Sequence, residues 1–257
     1  MTFEEVMTDS SGTTPISVLG KVARLLKVLE KCDRTIGLSE LASRAQLPKS
    51  TVYRLATEMA ELGMLERFEK DYSLGGWLFE LGQRVPLYQD MYDIALPFAE
   101  ELFLRTGATV HLGIRDGSEV MYVLKIRGHQ GENMVSRVAG RMPLHCTGTG
   151  RAILASEPEE LLENCIANGL RRMTPYTVMA PDVLRQIVAR GRGHGAGVER
   201  EEVRVGFGAS ACSIISAGKV VGAIGVTVRT GASDPSKYLG HARATADQLG
   251  QHLTRAA

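Results

Sequence analysis

Residues 36–75 constrain this chain more than any other stretch. A compact apolar helix pattern runs into Pro48-Lys49-Ser50-Thr51-Val52-Tyr53-Arg54-Leu55 and ends in a short β-hairpin pattern. After Pro48, the residues Lys49, Ser50, Thr51, Tyr53 and Arg54 give one side of a helix polar groups. Val52, Leu55 and Met59 fall on the other side. A helix so divided suits the major groove of DNA. Its polar side can meet phosphates and base edges while its apolar side is anchored on a small core. Short Ser50 and Thr51 sit near the helix start. Arg54, one turn beyond Ser50, can reach a phosphate or grip a guanine edge with two hydrogen bonds. The bland alternative is a solvated helix face, and the neighbouring sequence decides against it.

Upstream, Ile16, Val18, Leu19, Val22, Leu25, Leu26, Val28 and Leu29 recur at helical spacing, with Lys21, Arg24, Lys27 and Lys31 on the outer face. A second helix is expected after Leu38, with Ser39 as its N-cap and Leu41, Ala42 and Ala45 facing inward. Gln46-Leu47 makes the turn. Pro48 fits the first turn of the third helix, where its missing N–H is no loss. That helix is expected to run to about Leu62 and to stop at Gly63. Two strands are expected over 64–68 and 72–74, around the charged turn Glu69-Lys70-Asp71. Three helices and a hairpin predict a winged helix-turn-helix over 15–75, with Arg67 and Lys70 of the wing on the flanking backbone or minor groove.

Charge supports this modestly. The whole 257-residue chain carries a net charge of only +1, whereas residues 21–70 hold 10 Lys and Arg against 7 Asp and Glu. Few phosphate contacts are then available per subunit, so useful affinity calls for a dimer or a larger assembly. Cys32, Cys146, Cys165 and Cys212 are scattered, which predicts free thiols in a reducing cytoplasm. No apolar run approaches the roughly 18 residues of a membrane span. Residues 1–14 read as a disordered polar leader.

The amphipathic stretch after Trp77 leads to Pro86 and predicts a linker helix over 76–91, with its break at Pro86. From residue 92 to 257 the pattern becomes mixed. Helices are expected over 94–106, 152–166, 180–190 and 235–254, and strands over 109–114, 119–124, 211–216 and 220–228. An antiparallel sheet flanked by helices follows, so the chain as a whole is expected to be α+β.

Thr147-Gly148-Thr149-Gly150 opens a helix after an apolar strand end. Exposed N–H groups and close-approach glycines there suit a carboxylate, although a tight turn with no ligand would look the same. The Gly-Lys-Ser/Thr spacing of a Walker loop is absent. His111, His129, His145, His194 and the cysteines show no dependable metal-ligand spacing, and in an extended segment His145 and Cys146 point apart. No base or orienting group is nominated for a cysteine nucleophile, so no catalytic residue and no cofactor are expected. Glu199, Glu201 and Glu202 could suggest paired acids. Alternating with Arg200 and Arg204, they read better as a salt-bridged surface.

Both halves together resemble the IclR family of bacterial transcriptional regulators, over nearly the whole chain. The first half carries Leu38-Ser39-Glu40-Leu41-Ala42, Leu47-Pro48-Lys49-Ser50-Thr51-Val52-Tyr53-Arg54-Leu55 and Tyr72-Ser73-Leu74-Gly75. The second carries Met142-Pro143-Leu144-His145-Cys146-Thr147-Gly148-Thr149-Gly150-Arg151-Ala152, then Glu199-Arg200-Glu201-Glu202, then Gly222-Ala223-Ile224-Gly225-Val226.

The resemblance implies a GAF-like effector domain behind the winged helix. It also implies a homodimer or homotetramer on palindromic double-stranded DNA, repressing or activating a catabolic operon in response to a small organic acid. By family position Met134, Gly148, Thr149, Glu199, Gly225 and Thr227 would line the effector pocket. The chain departs from relatives at Gln46, often Gly, at Gly225-Val226-Thr227, often ending Ser-x-Ser, and at Ala209, commonly Cys. The departure at Gln46 bears only on the backbone of the turn, whereas those at Ala209 and Gly225-Val226-Thr227, positions that line the effector pocket in relatives, imply a different ligand. The rival readings are a small-molecule enzyme fused to a DNA-binding domain, using Cys146 or His145, and a second half that serves only for oligomerisation.

Overall fold

The computed structural model describes residues 17–32, 34–128 and 136–256. The leader expected over 1–14, together with His129 and Met134, lies outside the described residues. The chain divides into two compact units between Gln89 and Asp90.

In the first unit, α1 (Val18–Glu30) starts at Ser17, whose hydroxyl accepts the Gly20 N–H at 3.1 Å. A two-residue strand β1 (Ile36–Gly37) feeds α2 (Leu38–Ala45). That helix begins at Leu38 itself with Gly37 as its cap, so Ser39 is a first-turn residue and not the N-cap expected from sequence. Gln46 then takes the left-handed conformation (φ 55°, ψ 44°) that ends α2 and turns the chain toward α3 (Lys49–Glu61). Gly63, at φ 74°, terminates the third helix, a backbone conformation that L side chains rarely adopt. The wing is β2 (Leu65–Phe68) and β3 (Asp71–Leu74), paired antiparallel from Leu65 with Leu74 to Phe68 with Asp71. β1 adds a third strand on the far side of β3, which the sequence did not announce. Leu25, Leu29, Leu41, Val52, Leu55, Met59, Leu65 and Tyr72 form the core. α4 (Gly76–Gly82) follows and buries no residue.

The helical run of the linker breaks over residues 83–85, just before Pro86. After α4 the chain re-enters helix at Pro86, and α5 (Pro86–Thr106) runs with Pro97 in its interior. The second unit is built on a six-stranded antiparallel sheet in the order β6-β5-β4-β9-β8-β7. Its strands are β4 (Thr109–Asp116), β5 (Glu119–Ile126), β6 (Arg141–Pro143), β7 (Ala196–Arg200), β8 (Phe207–Ser216) and β9 (Lys219–Arg229). Between β6 and β7 lie α6 (Gly148–Ser156), α7 (Glu159–Ala167) and α8 (Pro181–Arg192). The helix expected over 152–166 is therefore two helices. Pro158 removes an N–H and holds Glu157 extended, which breaks the run. The chain closes through a 3₁₀ turn at Pro235–Tyr238 into α9 (Leu239–Ala256).

One sheet face is covered by α6, α7 and α8, with Leu144, Ile153, Leu154, Leu162, Leu184 and Val188 in its core. The other meets α9, whose Ala242, Ala246 and Leu249 are buried. Phe98 of α5 packs edge-on against His252 of α9, with ring centres 5.6 Å apart. Among the described residues no helix is long and apolar enough to cross a membrane.

Candidate functional sites

The first candidate site is the outer side of α3. Val52, Leu55, Ala56 and Met59 are buried, which fixes the helix rotation. Lys49, Ser50, Tyr53 and Arg54 are left exposed and Thr51 half-buried. Arg54 lies 3.8 Å from Glu58, one turn along, in a loose pair open to water. Arg67 and Lys70 are exposed in the wing, where the Arg67 Nε donates to the Glu69 carbonyl at 3.1 Å. That carbonyl belongs to a residue at φ 53°, so the arginine side chain braces the hairpin turn. Lys49 and Arg54 are balanced by Glu58 and Glu61, and α3 is formally neutral.

The second site is a cavity of about 50 Å³ between the sheet and the start of α6. Five of the six positions expected to line an effector pocket border it: Gly148, Thr149, Glu199, Gly225 and Thr227. The sixth, Met134, is outside the described residues. Strand alternation brings the others together. Glu199 pairs with Ala209, Ala209 with Thr227, and Ala211 with Gly225, so their side chains share the α6 face. Two glycines let backbone come close enough to shape it. A Cβ on Gly197 would lie 2.1 Å from the Gly148 carbonyl oxygen. One on Gly225 would lie 2.2 Å from the Ser210 carbonyl oxygen.

At the head of α6, the Thr147 hydroxyl caps the helix by accepting the Gly150 N–H at 3.1 Å. Gly148 and Thr149 contribute the first N–H groups, which have no acceptor within the helix and carry its positive dipole end. The Thr149 hydroxyl lies 3.4 Å from the Tyr122 hydroxyl. His111 stacks obliquely on Tyr122, with centroids 4.9 Å apart. Its ring nitrogens meet Ser136 Oγ at 2.7 Å and Thr227 Oγ1 at 3.3 Å. Burial, reinforced by the charge of Lys125, lowers the His111 pKa to about 3, so the ring is neutral. Burial also pushes the Tyr122 phenol up to about 12.

The acidic cluster departs from the surface reading. Glu199 and Glu202 are both buried. Glu199 Oε2 accepts the Glu202 N–H at 3.0 Å, and burial raises its carboxyl to about 8, against the pull of that hydrogen bond. Glu202 grips Arg151 with two hydrogen bonds of 2.6 and 2.7 Å. Arg151 in turn donates to the His145 and Val198 carbonyls, both at 2.8 Å. Glu201 is half-buried and accepts from Thr230, and only Arg200 behaves as a surface residue, paired with Asp234 at 2.8 Å. Sequence alternation hid this because the partner, Arg151, comes from a distant helix.

His145 and Cys146 are also placed differently than expected. They sit in a buried 3₁₀ turn at Leu144–Cys146 and not in an extended segment. His145 Nε2 is engaged with the Arg171 carbonyl at 3.1 Å, and burial raises the Cys146 thiol to about 12. A thiol so held is not ionised near neutral pH, which disarms it as a nucleophile. No group of three or more His, Cys, Asp or Glu among the described residues is arranged to hold a metal ion. Sequence reasoning missed His111 as a cavity residue, and with it Tyr122, Ser136, Arg204 and Phe207. The available signal was a histidine inside the apolar run of β4.

Comparison with known proteins matches residues 18–68 to the IclR helix-turn-helix domain and residues 83–251 to the bacterial transcriptional regulator IclR C-terminal domain. The chain belongs to the IclR family. Among curated IclR relatives, the HTH-type transcriptional repressor AllR of Salmonella typhi is 32% identical over 210 residues, 79% of this chain and 76% of that protein. The HTH-type transcriptional regulator KdgR of Dickeya chrysanthemi is 32% identical over 248 residues, 92% of this chain and 81% of that protein. Among solved structures, an IclR homolog from Microbacterium hydrocarbonoxydans complexed with 4-hydroxybenzoate superposes with a TM-score of 0.85 at 28% identity. The match covers 94% of this chain and all of that one. The IclR of Thermotoga maritima gives 0.73 at 27% identity, covering 92% and 99%. This IclR chain is thus a helix-turn-helix transcriptional regulator with an antiparallel-sheet effector domain.

Proposed function

We propose that this regulator responds to a small organic acid held in the cavity at the head of α6, and that the response changes its affinity for a palindromic operator. The observation that carries the reading is the convergence of the α6 N-terminal amides, Glu199 and Thr227 on one cavity. Backbone amides at a helix start favour an anion. The raised Glu199, largely protonated near neutral pH, does not oppose that preference. The 4-hydroxybenzoate in the Microbacterium relative is an acid of this kind.

On the DNA side, Lys49, Ser50, Thr51, Tyr53 and Arg54 meet the major groove, with Arg67 and Lys70 on flanking backbone. A homodimer or homotetramer supplies the second half-site. The effector acts by binding one arrangement of the assembly better than another, and the coupling runs through residues 76–91. In this reading the regulated genes form a catabolic operon, repressed or activated in response to the acid.

The test is binding to the DNA upstream of the protein's own gene, at two salt concentrations, with and without a panel of small acids. Saturable, salt-sensitive binding that one acid shifts is the expected result. Binding that no acid alters, together with no acid that raises the melting temperature, would sink the effector half of the reading. Turnover of any acid in the panel would instead revive the enzyme alternative.

A further inference from the structure

The cavity carries a cation that no described residue pairs with in an ion pair. Arg204 lies in the turn between β7 and β8, half-buried, and borders the cavity. Two other arginines of this region are paired, Arg200 with Asp234 and Arg151 with Glu202. Among the described residues Arg204 forms no ion pair. Its guanidinium stacks on the Phe207 ring, 5.0 Å from the centre, and Arg229 approaches the same ring at 5.2 Å. Phe207 also borders the cavity. Stacking on an aromatic face holds the fork in place while leaving its N–H edge free, which is how arginine is presented to a carboxylate. The turn that bears it is fixed by buried Glu202.

We propose that the effector carries two acidic groups, one met by the amides at the head of α6 and the other by Arg204. The proposal rests on the reading of the cavity given above and narrows it from small acids to short dicarboxylates. Two separate anion receptors border one small space, and a single carboxylate satisfies only one of them. A half-buried guanidinium has already lost part of its hydration, so a second carboxylate gains a charge-assisted, two-pronged hydrogen bond there. The small size of the cavity favours a short spacer between the acids. Glu199, whose carboxyl is raised to about 8, stays largely protonated at neutral pH and does not repel such a dianion.

The experiment is isothermal titration of the full chain with malonate, succinate and glutarate against butyrate and 4-hydroxybenzoate, repeated with Arg204→Gln and Arg204→Lys. At least one dicarboxylate is expected to bind more tightly than butyrate. In Arg204→Gln its affinity should fall by about 10- to 100-fold, the range for one charge-assisted interaction, while butyrate changes by less than about threefold. Arg204→Lys, which keeps the charge but loses the fork, should fall between. Melting of the unliganded variants checks that the fold is intact. Equal binding of mono- and dicarboxylates, or equal weakening of both in Arg204→Gln, overturns the proposal and leaves the acid-responsive reading standing. Absence of binding by any acid overturns both.

Discussion

Arg151 and Glu202 face each other through two parallel hydrogen bonds of 2.6 and 2.7 Å where neither side chain is more than 8% exposed. The pair ties the helix that opens at the cavity to the turn that carries Val203 and Arg204. Glu202 also accepts the Val178 N–H at 3.0 Å, so the segment before α8 is fastened to the same point.

Breaking this pair from one side strands a charge away from water. Arg151→Met is therefore expected to destabilise the second unit by about 3–5 kcal/mol, read as a lower melting temperature. Arg151→Met combined with Glu202→Leu should recover part of that loss, because the stranded carboxylate is gone. The recovery stays partial, since the Val178 N–H and the His145 and Val198 carbonyls lose their partner. A double variant no more stable than the single one would contradict this account.

Glu199 predicts a pH dependence with a definite sign. Its folded-state value, about 8, lies above the ordinary 4.5, so the folded chain holds the proton more tightly than the unfolded chain. The stability it contributes is fully present below about pH 4.5 and is lost as pH rises through about 8. Glu199→Gln mimics the protonated form. Urea midpoints of the two proteins should agree near pH 5, with the variant becoming the more stable of the two above pH 8. Parallel curves across the range would show that this carboxyl is not the group responsible.

The two faces of α3 predict opposite phenotypes. Arg54→Ala, at an exposed position, should leave the melting temperature within error and weaken operator binding by about 1–3 kcal/mol if it reads a base. Leu55→Ala, fully inside the core, should lower stability by about 2–5 kcal/mol, and DNA binding would fail only because the unit unfolds. Chemical denaturation run beside gel-shift titration separates the two.

Salt dependence offers a check on the charge inventory. With α3 formally neutral, the candidate phosphate contacts per subunit are Lys49, Arg54, Arg67 and Lys70. At about −0.9 per phosphate, log K should fall against log salt with a slope no steeper than about −4 per subunit. A steeper slope would mean that cations elsewhere, such as Lys21, Arg24 and Lys31 around α1, also reach the DNA.

The winged helix was legible because its signals are local. Pro48 and Gly63 mark the ends of α3, and Val52, Leu55 and Met59 set its inward face. The strand β1 was not, since two residues carry no period. β7 escaped for a physical reason as well. Gly197 must be small to let the α6 backbone pass, so the strand keeps Val198 as its one β-branched residue and shows little that advertises a strand. The effector positions came from family resemblance and not from spacing. Their convergence depends on registers between strands far apart in sequence. Arg151 and Glu202 show the same limit: a buried ion pair made across many residues reads, in one dimension, as two unrelated charges.

The central seam of the second unit joins Thr109 to Thr227 and Val110 to Val226, so its first strand must wait for its last before the sheet can close. During synthesis the DNA-binding unit, finished by Gln89, has everything it needs long before β9 leaves the ribosome. For that interval β4 and β5 exist as a hairpin with an apolar edge and no neighbour on one side, the condition in which strands find wrong partners. A chain cut short ahead of β9 would consequently yield a protein that can still fold its reading head but is deaf to its signal.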